Sequence, residues 1–196
     1  MTSSTNTRLE RGLDTMFIVY SLLQNHPASA ACEQFIRART GWFTTASSLL
    51  EAKAVLTKIY GIEAALATKN LTAFTEELVE VLPIDASTAL AAMRLADVQG
   101  LDFTDAILLS LTSSLGATTL ATDDRKLAQA SAQFGITVEN PIDDSLRQLM
   151  TAWESTKLAP KGLPRILRHI HDWLNRTHQA TAQDFWSQTG GGAHMP

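Results

Sequence analysis

One cysteine in 196 residues leaves no partner for an internal disulfide, which suits a reducing, cytoplasmic compartment. Nothing beside Cys32 resembles a base, so it reads as a small buried hydrophobe and not as a nucleophile. Long hydrophobic runs are also missing. The apolar stretches fall well short of the roughly 18 residues a membrane span needs, and no charged-then-apolar leader opens the chain. Met1 to Thr7 is polar, so residues 1–8 are expected to be disordered. Charged residues are only 18% against 45% apolar, which excludes a disordered polyelectrolyte and fits a globular core. The stacking-aromatic motifs of the common RNA-binding modules are absent.

What is present is an alternation of strands and helices, the pattern of an α/β fold with a mostly parallel sheet. Residues 13–19 are predicted as a first strand running into a short helix at 20–24, which His26-Pro27 breaks. A second helix runs from Pro27 to about residue 39 and stops at Gly41. Residues 42–45 form a second strand. Apolar residues at Leu49, Leu50, Val55, Leu56 and Ile59 mark a helix over 49–60. Two helices at 62–67 and 71–80 precede a strand at 81–84. Asp85 caps a long helix that ends before Gly100. A helix at 104–115, a strand at 117–121, a helix at 125–134 and a strand at 136–139 follow.

Charge is unevenly spread. The net charge is −4, but the first 150 residues hold 11 basic against 17 acidic side chains, and the rest hold five against three. Pro141 and Asp143-Asp144 mark a domain edge. Beyond them lie a helix at 145–156, a linker at 160–164 and a helix at 165–177. That last helix carries Ile166, Ile170, Trp173 and Leu174 on one face, with Arg165, Arg168 and Arg176 mainly off it. The expected division is a domain at 9–144, a basic helical extension at 145–189 and a disordered tail at 190–196.

Four acids stand where a strand ends or a helix begins: Asp14, Glu51, Asp105 and Asp124. In parallel sheets ligands bind outside the carboxyl ends of the strands, so such acids point at a shared centre. Clustered carboxylates repel unless a divalent cation neutralises them. Each acid alone has a plainer reading as a helix cap. Ser48 and Glu51 form a capping-box pattern, Asp102 and Asp105 a similar start, and Asp123 or Asp124 can cap the helix at Arg125. Asp123 and Asp124 compete for one position. No histidine lies close in sequence to the four acids, which argues against metal-free acid–base cleavage of RNA. His169, His171 and His178 read as a solvated basic face rather than a metal trio.

The words Leu13-Asp14-Thr15, Ser48-Leu49-Leu50-Glu51, Leu101-Asp102-Phe103-Thr104-Asp105-Ala106 and Leu120-Ala121-Thr122-Asp123-Asp124 together resemble the PIN-domain nucleases. Within them the chain is similar to the toxin-type ribonucleases of bacterial VapC-like modules, over roughly residues 9 to 141. The resemblance implies a PIN-like three-layer sandwich and a metal-dependent endoribonuclease. It implies that Asp14, Glu51, Asp105 and Asp124 hold Mg2+ or Mn2+, with Asp123 beside a metal-bound water. Thr15 and Thr122 then orient carboxylates or waters. It also implies an RNA substrate and, for a toxin, a small antitoxin partner. Two departures stand out: the lead-in to Asp14 is charged, and Met16 follows Asp14-Thr15 where Asn or Ser is common. The extension lies outside the resemblance. Its Lys157, Lys161, Arg165, Arg168 and Arg176 are candidates for contact with an RNA backbone. The apolar face of its helix docks on the domain, on the antitoxin or on a second copy in a homodimer. The alternatives in function are a catalytically silent PIN-fold interaction protein, or a nuclease of other nucleic acid on the same fold.

Overall fold

The structure is a computed structural model that describes residues 9–158 and 165–188, without the side chains of Arg165, Ile166, Arg168 and His169. The expected disordered ends at 1–8 and 190–196, the linker at 160–164 and Lys161 lie outside the described residues. The chain divides into two compact units, Met1–Met150 and Thr151–Pro196.

The first unit is built on a five-stranded parallel sheet in the order β3-β2-β1-β4-β5. The strands are β1 (Arg11–Leu13), β2 (Trp42–Thr45), β3 (Glu80–Leu82), β4 (Thr119–Ala121) and β5 (Thr137–Glu139). Chain order runs outward from β1 to β3, then returns to lay β4 on the other side of β1. Arg11, Gly12 and Leu13 pair with Thr119, Leu120 and Ala121. That reversal makes the gap between β1 and β4 the topological switch point, where ligands of open parallel sheets bind.

Alternation along the strands splits the core in two. Leu13, Trp42 and Ala121 point to one face, where helices α1 (Thr15–Leu22), α2 (Ser29–Arg37), α3 (Ala46–Lys58) and α4 (Ala64–Glu77) bury Phe17, Ile36, Leu56 and Phe74. The start of α8 (Asp144–Lys157) joins this layer through Leu146 and Met150. Phe43 and Leu120 point to the other face, covered by α5 (Ala86–Gln99), α6 (Phe103–Ser114) and α7 (Arg125–Gln133) through Ala92, Leu108 and Leu127. The three-layer PIN-like sandwich expected from the sequence is the fold observed. Gly12 permits one close approach in it: a Cβ there would lie 2.7 Å from the Thr112 hydroxyl of α6.

Several local expectations need correction. The apolar run after Leu13 is not strand but α1. Phe17, Ile18, Val19 and Tyr20 are all buried, so this short helix is apolar all round and its pattern cannot be told from that of a buried strand. The two helices expected at 62–67 and 71–80 are one helix, α4. Ala67, Leu71 and Phe74 make an unbroken buried stripe through it, and the Glu63 carboxylate caps its first turn. Ser48 does not cap α3; Thr45 does, accepting the Ser48 amide at 3.0 Å, so Glu51 falls in the second turn.

The second unit contains the end of α8, then α9 (Arg165–Thr177) and an unexpected α10 (Gln179–Gln188), which pack on each other. His171 is not on a solvated face: it is buried, with its ring 5.8 Å from that of Trp186. Ile170 and Trp173 are exposed. No helix among the described residues is long and apolar enough to cross a membrane.

Candidate metal centre

Asp14 follows directly on β1 and is pinned from both flanking strands. Its amide donates to the Ala121 carbonyl at 3.1 Å, and the Thr44 hydroxyl donates to the Leu13 carbonyl at 3.0 Å. Its side chain is buried and accepts a 2.7 Å hydrogen bond from the Thr122 hydroxyl. Thr122 is itself buried just past β4, and the same hydroxyl oxygen accepts the Asp124 amide at 3.0 Å. One hydroxyl thus ties residue 14 to residue 124. Asp124 is the N-cap of α7: its Oδ1 accepts the Leu127 amide at 2.8 Å.

Thr15 is buried at the start of α1 and donates to Glu51 Oε2 at 2.8 Å. Glu51 therefore reaches the centre from α3, while Asp105 reaches it from the first turn of α6. Asp102 stands at the N-cap of that helix without a side-chain capping bond.

The carboxylates sense one another. Burial pushes the Asp14 carboxyl up to about 6; the Thr122 hydroxyl and the Met16 amide act against it, and the charges of Glu51 and Asp124 add to it. Burial likewise pushes Asp105 up to about 7, with further lifts from Asp14, Asp124, Glu51 and Asp102. The charges that raise Asp14 and Asp105 are those of other carboxylates, so these acids lie close enough to repel one another. The side chains do not form a closed cage. Among the described residues no three His, Cys, Asp or Glu side chains stand close enough to hold an ion as they are. The donor set is oxygen only, which is the chemistry that hard divalent cations take.

Asp123 is committed elsewhere. Arg147 of α8 grips both of its oxygens at 2.7 Å, and the Asn140 amide donates to Oδ1 at 2.7 Å. Neither partner was evident from the sequence: Arg147 lies 24 residues away, and nothing local pairs them. The thiol of Cys32 is buried and pushed up to about 12, first by burial and then by the charge of Asp123, so it is inert. Lys157 and Arg176 lie in the second unit and are exposed; Arg165 and Arg168 lie on α9 with side chains not described.

The PIN domain family model matches residues 13–133, more than half of the chain. The chain belongs to the PIN domain family. The matched segment contains Asp14, Glu51, Asp105 and Asp124, whereas Arg147 and the second unit lie beyond it. No curated protein sequence matches the chain significantly.

Among solved structures, the PIN domain is similar to VapC20 of Mycobacterium tuberculosis, a sarcin-ricin loop cleaving toxin. The TM-score is 0.55 at 15% identity, covering 62% of this chain and 95% of that one. PAE2754 from Pyrobaculum aerophilum superposes with a TM-score of 0.50 at 22% identity, covering 73% and 98%. VapBC2 from Rickettsia felis, bound to a DNA fragment from their promoter, gives 0.49 at 17%, covering 66% and 97%. At these identities the likeness is one of fold.

Proposed function

We propose that this PIN domain is a metal-dependent endoribonuclease, the toxin of a toxin–antitoxin pair. The observation that carries the reading is geometric: at the switch point of the sheet the Thr122 hydroxyl ties Asp14 to the Asp124 amide, Thr15 beside Asp14 holds Glu51, and Asp105 lies near enough for their charges to act on it. A fold gains nothing from acids so placed unless a cation or a cationic group joins them, and this speaks against a catalytically silent scaffold. In this reading the four acids hold Mg2+ or Mn2+.

When bound, such an ion lowers the pKa of a coordinated water and offsets the charge of a phosphodiester. The chain's own part is preorganisation. Thr122 holds one oxygen of Asp14, Thr15 holds one oxygen of Glu51, and α7 holds one oxygen of Asp124. Asp14 also accepts from the Met16 amide, so each of the three carboxylates is fixed by at least one hydrogen bond from its own surroundings. Fixing donors before the reaction is where an enzyme of phosphate esters gains most of its acceleration.

RNA is the favoured substrate because VapC20, which shares the fold, is a sarcin-ricin loop cleaving toxin. The basic extension, with Lys157, Lys161, Arg165, Arg168 and Arg176, is the proposed contact with the RNA backbone. A small antitoxin is the proposed partner, and the exposed Ile170 and Trp173 of α9 are a surface open to it or to a second copy. Cytoplasmic residence accords with the single buried thiol.

The reading is tested by incubating the protein with structured RNA and with single-stranded DNA, in EDTA, Mg2+ or Mn2+, beside Asp105→Asn. Metal-dependent cleavage of RNA, lost in the variant, is expected. Cleavage of DNA alone would move the substrate, and no cleavage together with no metal-induced stabilisation would return the protein to the interaction class.

A further inference from the structure

Asp123 and Asp124 are adjacent and chemically identical, yet they are used in opposite ways. Asp124 caps α7 and couples to the acids of the centre; Asp123 is turned to Arg147 and Asn140. The difference comes from α8. Arg147 Nη1 and Nη2 each lie 2.7 Å from a different oxygen of Asp123, the paired-fork geometry that fixes direction as well as distance. Asp123 is the more enclosed partner, its side chain 16% exposed against 39% for Arg147. Leu146 and Met150 on either side of Arg147 anchor α8 in the core, so the guanidinium is presented from a fixed backbone. Asp144 and Tyr20 lie near enough to raise the guanidinium's pKa further.

We propose that Arg147 is the positioning residue of the acidic centre. By engaging both oxygens of Asp123 it sets the turn at 122–124, so that Thr122 meets Asp14 and Asp124 rather than Asp123 faces the centre. The proposal rests on the reading of the centre as a metal site. It adds a residue beyond the segment matched by the family model.

The chain of contacts is short. Arg147 holds Asp123, the turn holds the Thr122 hydroxyl, and that hydroxyl holds both Asp14 and the Asp124 amide. Without Arg147, Asp123 keeps only the Asn140 amide among these partners. The turn then loses its outer anchor, and a mostly enclosed carboxylate is freed one residue from Asp124. Loss of a group bonded directly to a metal-binding carboxylate lowers metal affinity or activity by roughly 10- to 100-fold, and Arg147 acts on such a group, Thr122, through the turn, so the lower end of that range is expected.

The test uses the full chain with Arg147→Ala, Arg147→Lys and the exchanged pair Asp123→Arg with Arg147→Asp. Two measurements are made on each: hydrogen exchange at the Asp124 and Leu127 amides without metal, and the Kd for Mn2+ by calorimetry. For Arg147→Ala the two amides are expected to exchange faster while the amides of β1 and β2 do not, and Mn2+ is expected to bind roughly 10-fold more weakly or worse. Arg147→Lys and the exchanged pair should each recover part of both effects. If Arg147→Ala does not fold, the lysine variant carries the test, because it keeps the charge and loses the fork.

Unchanged exchange at both amides overturns the proposal, as does unchanged Mn2+ affinity despite faster exchange. If the unmodified protein takes up no Mn2+ while the two amides still respond, the metal reading fails and the hold of Arg147 on the turn stands.

Discussion

Replacing Asp105 by Asn should stabilise the metal-free protein. Asp105 is half-buried near four other acids, and its carboxyl is pushed up to about 7 from 3.8. At ~1.36 kcal/mol per pH unit, that rise is at most about 4 kcal/mol. The side chain keeps part of its hydration, so screening reduces the effect to roughly 2 kcal/mol.

The sign follows from proton linkage. Between about pH 4 and 7 the folded state holds a proton on Asp105 that the unfolded chain has released. Stability therefore falls as pH rises through that window, and the penalty is complete above it. Asp14, at about 6, adds a parallel loss that ends sooner. Asparagine keeps the shape and cannot ionise. Urea denaturation in EDTA, followed by far-UV circular dichroism at several pH values from 4 to 8, measures this directly. The expected result is near-equal stability at pH 4 and a variant more stable by roughly 2 kcal/mol at pH 8. Excess Mn2+ should then narrow or reverse the gap, because the native acid set binds the ion better. A variant no more stable than the native protein at pH 8 in EDTA would refute the idea that these acids strain the fold.

Three further outcomes are expected. Thr122→Val removes the hydroxyl shared by Asp14 and Asp124, which should cost roughly 1–3 kcal/mol in thermal unfolding and push the Asp14 carboxyl higher still, readable by NMR titration. Gly12→Ala drives a methyl group to 2.7 Å from the Thr112 hydroxyl between β1 and α6; a loss of about 1–3 kcal/mol by calorimetry is expected, and Thr112→Ser in the same chain should not relieve it, since the clashing oxygen remains. Lys157→Ser with Arg176→Ser should weaken RNA binding and flatten its dependence on salt by about one logarithmic slope unit per lost phosphate contact, measured by fluorescence anisotropy. An unchanged slope would remove the extension from the RNA interface.

Elements with local punctuation were legible in the sequence. Strand β2 has the bounds expected for it, and α5 begins after Asp85, whose carboxylate accepts the Thr88 amide at 2.7 Å, and ends at Gly100 with φ 64°. Both signals act within a few residues, so composition exposes them. In α1, burial on nearly every side erases the period that separates helix from strand. In α4 the polar middle, Thr68-Lys69-Asn70, hides the buried stripe that only packing reveals. In the centre, Asp124 could be singled out by its place after a strand, whereas Asp14 lies inside the strand expected at 13–19 and only the fold sets it just past β1. Ser48 and Glu51 carry the capping-box pattern, but Thr45 is the residue that caps α3, so Glu51 lies one turn further in than the pattern implies.

The sequence by itself determined the alternation of strands and helices, the acids available and the segment that resembles a PIN domain, because caps, glycines and periodicity are short-range physics. Only the tertiary structure decided what those acids meet. The return of β4 to the side of β1 brings Thr122 to Asp14 across 108 residues. The packing of α8 gives Asp123 to Arg147 and leaves Asp124 to α7. Two neighbouring aspartates are indistinguishable as letters; the cations and amides that reach them come from distant parts of the chain, and those contacts exist only once the chain is folded.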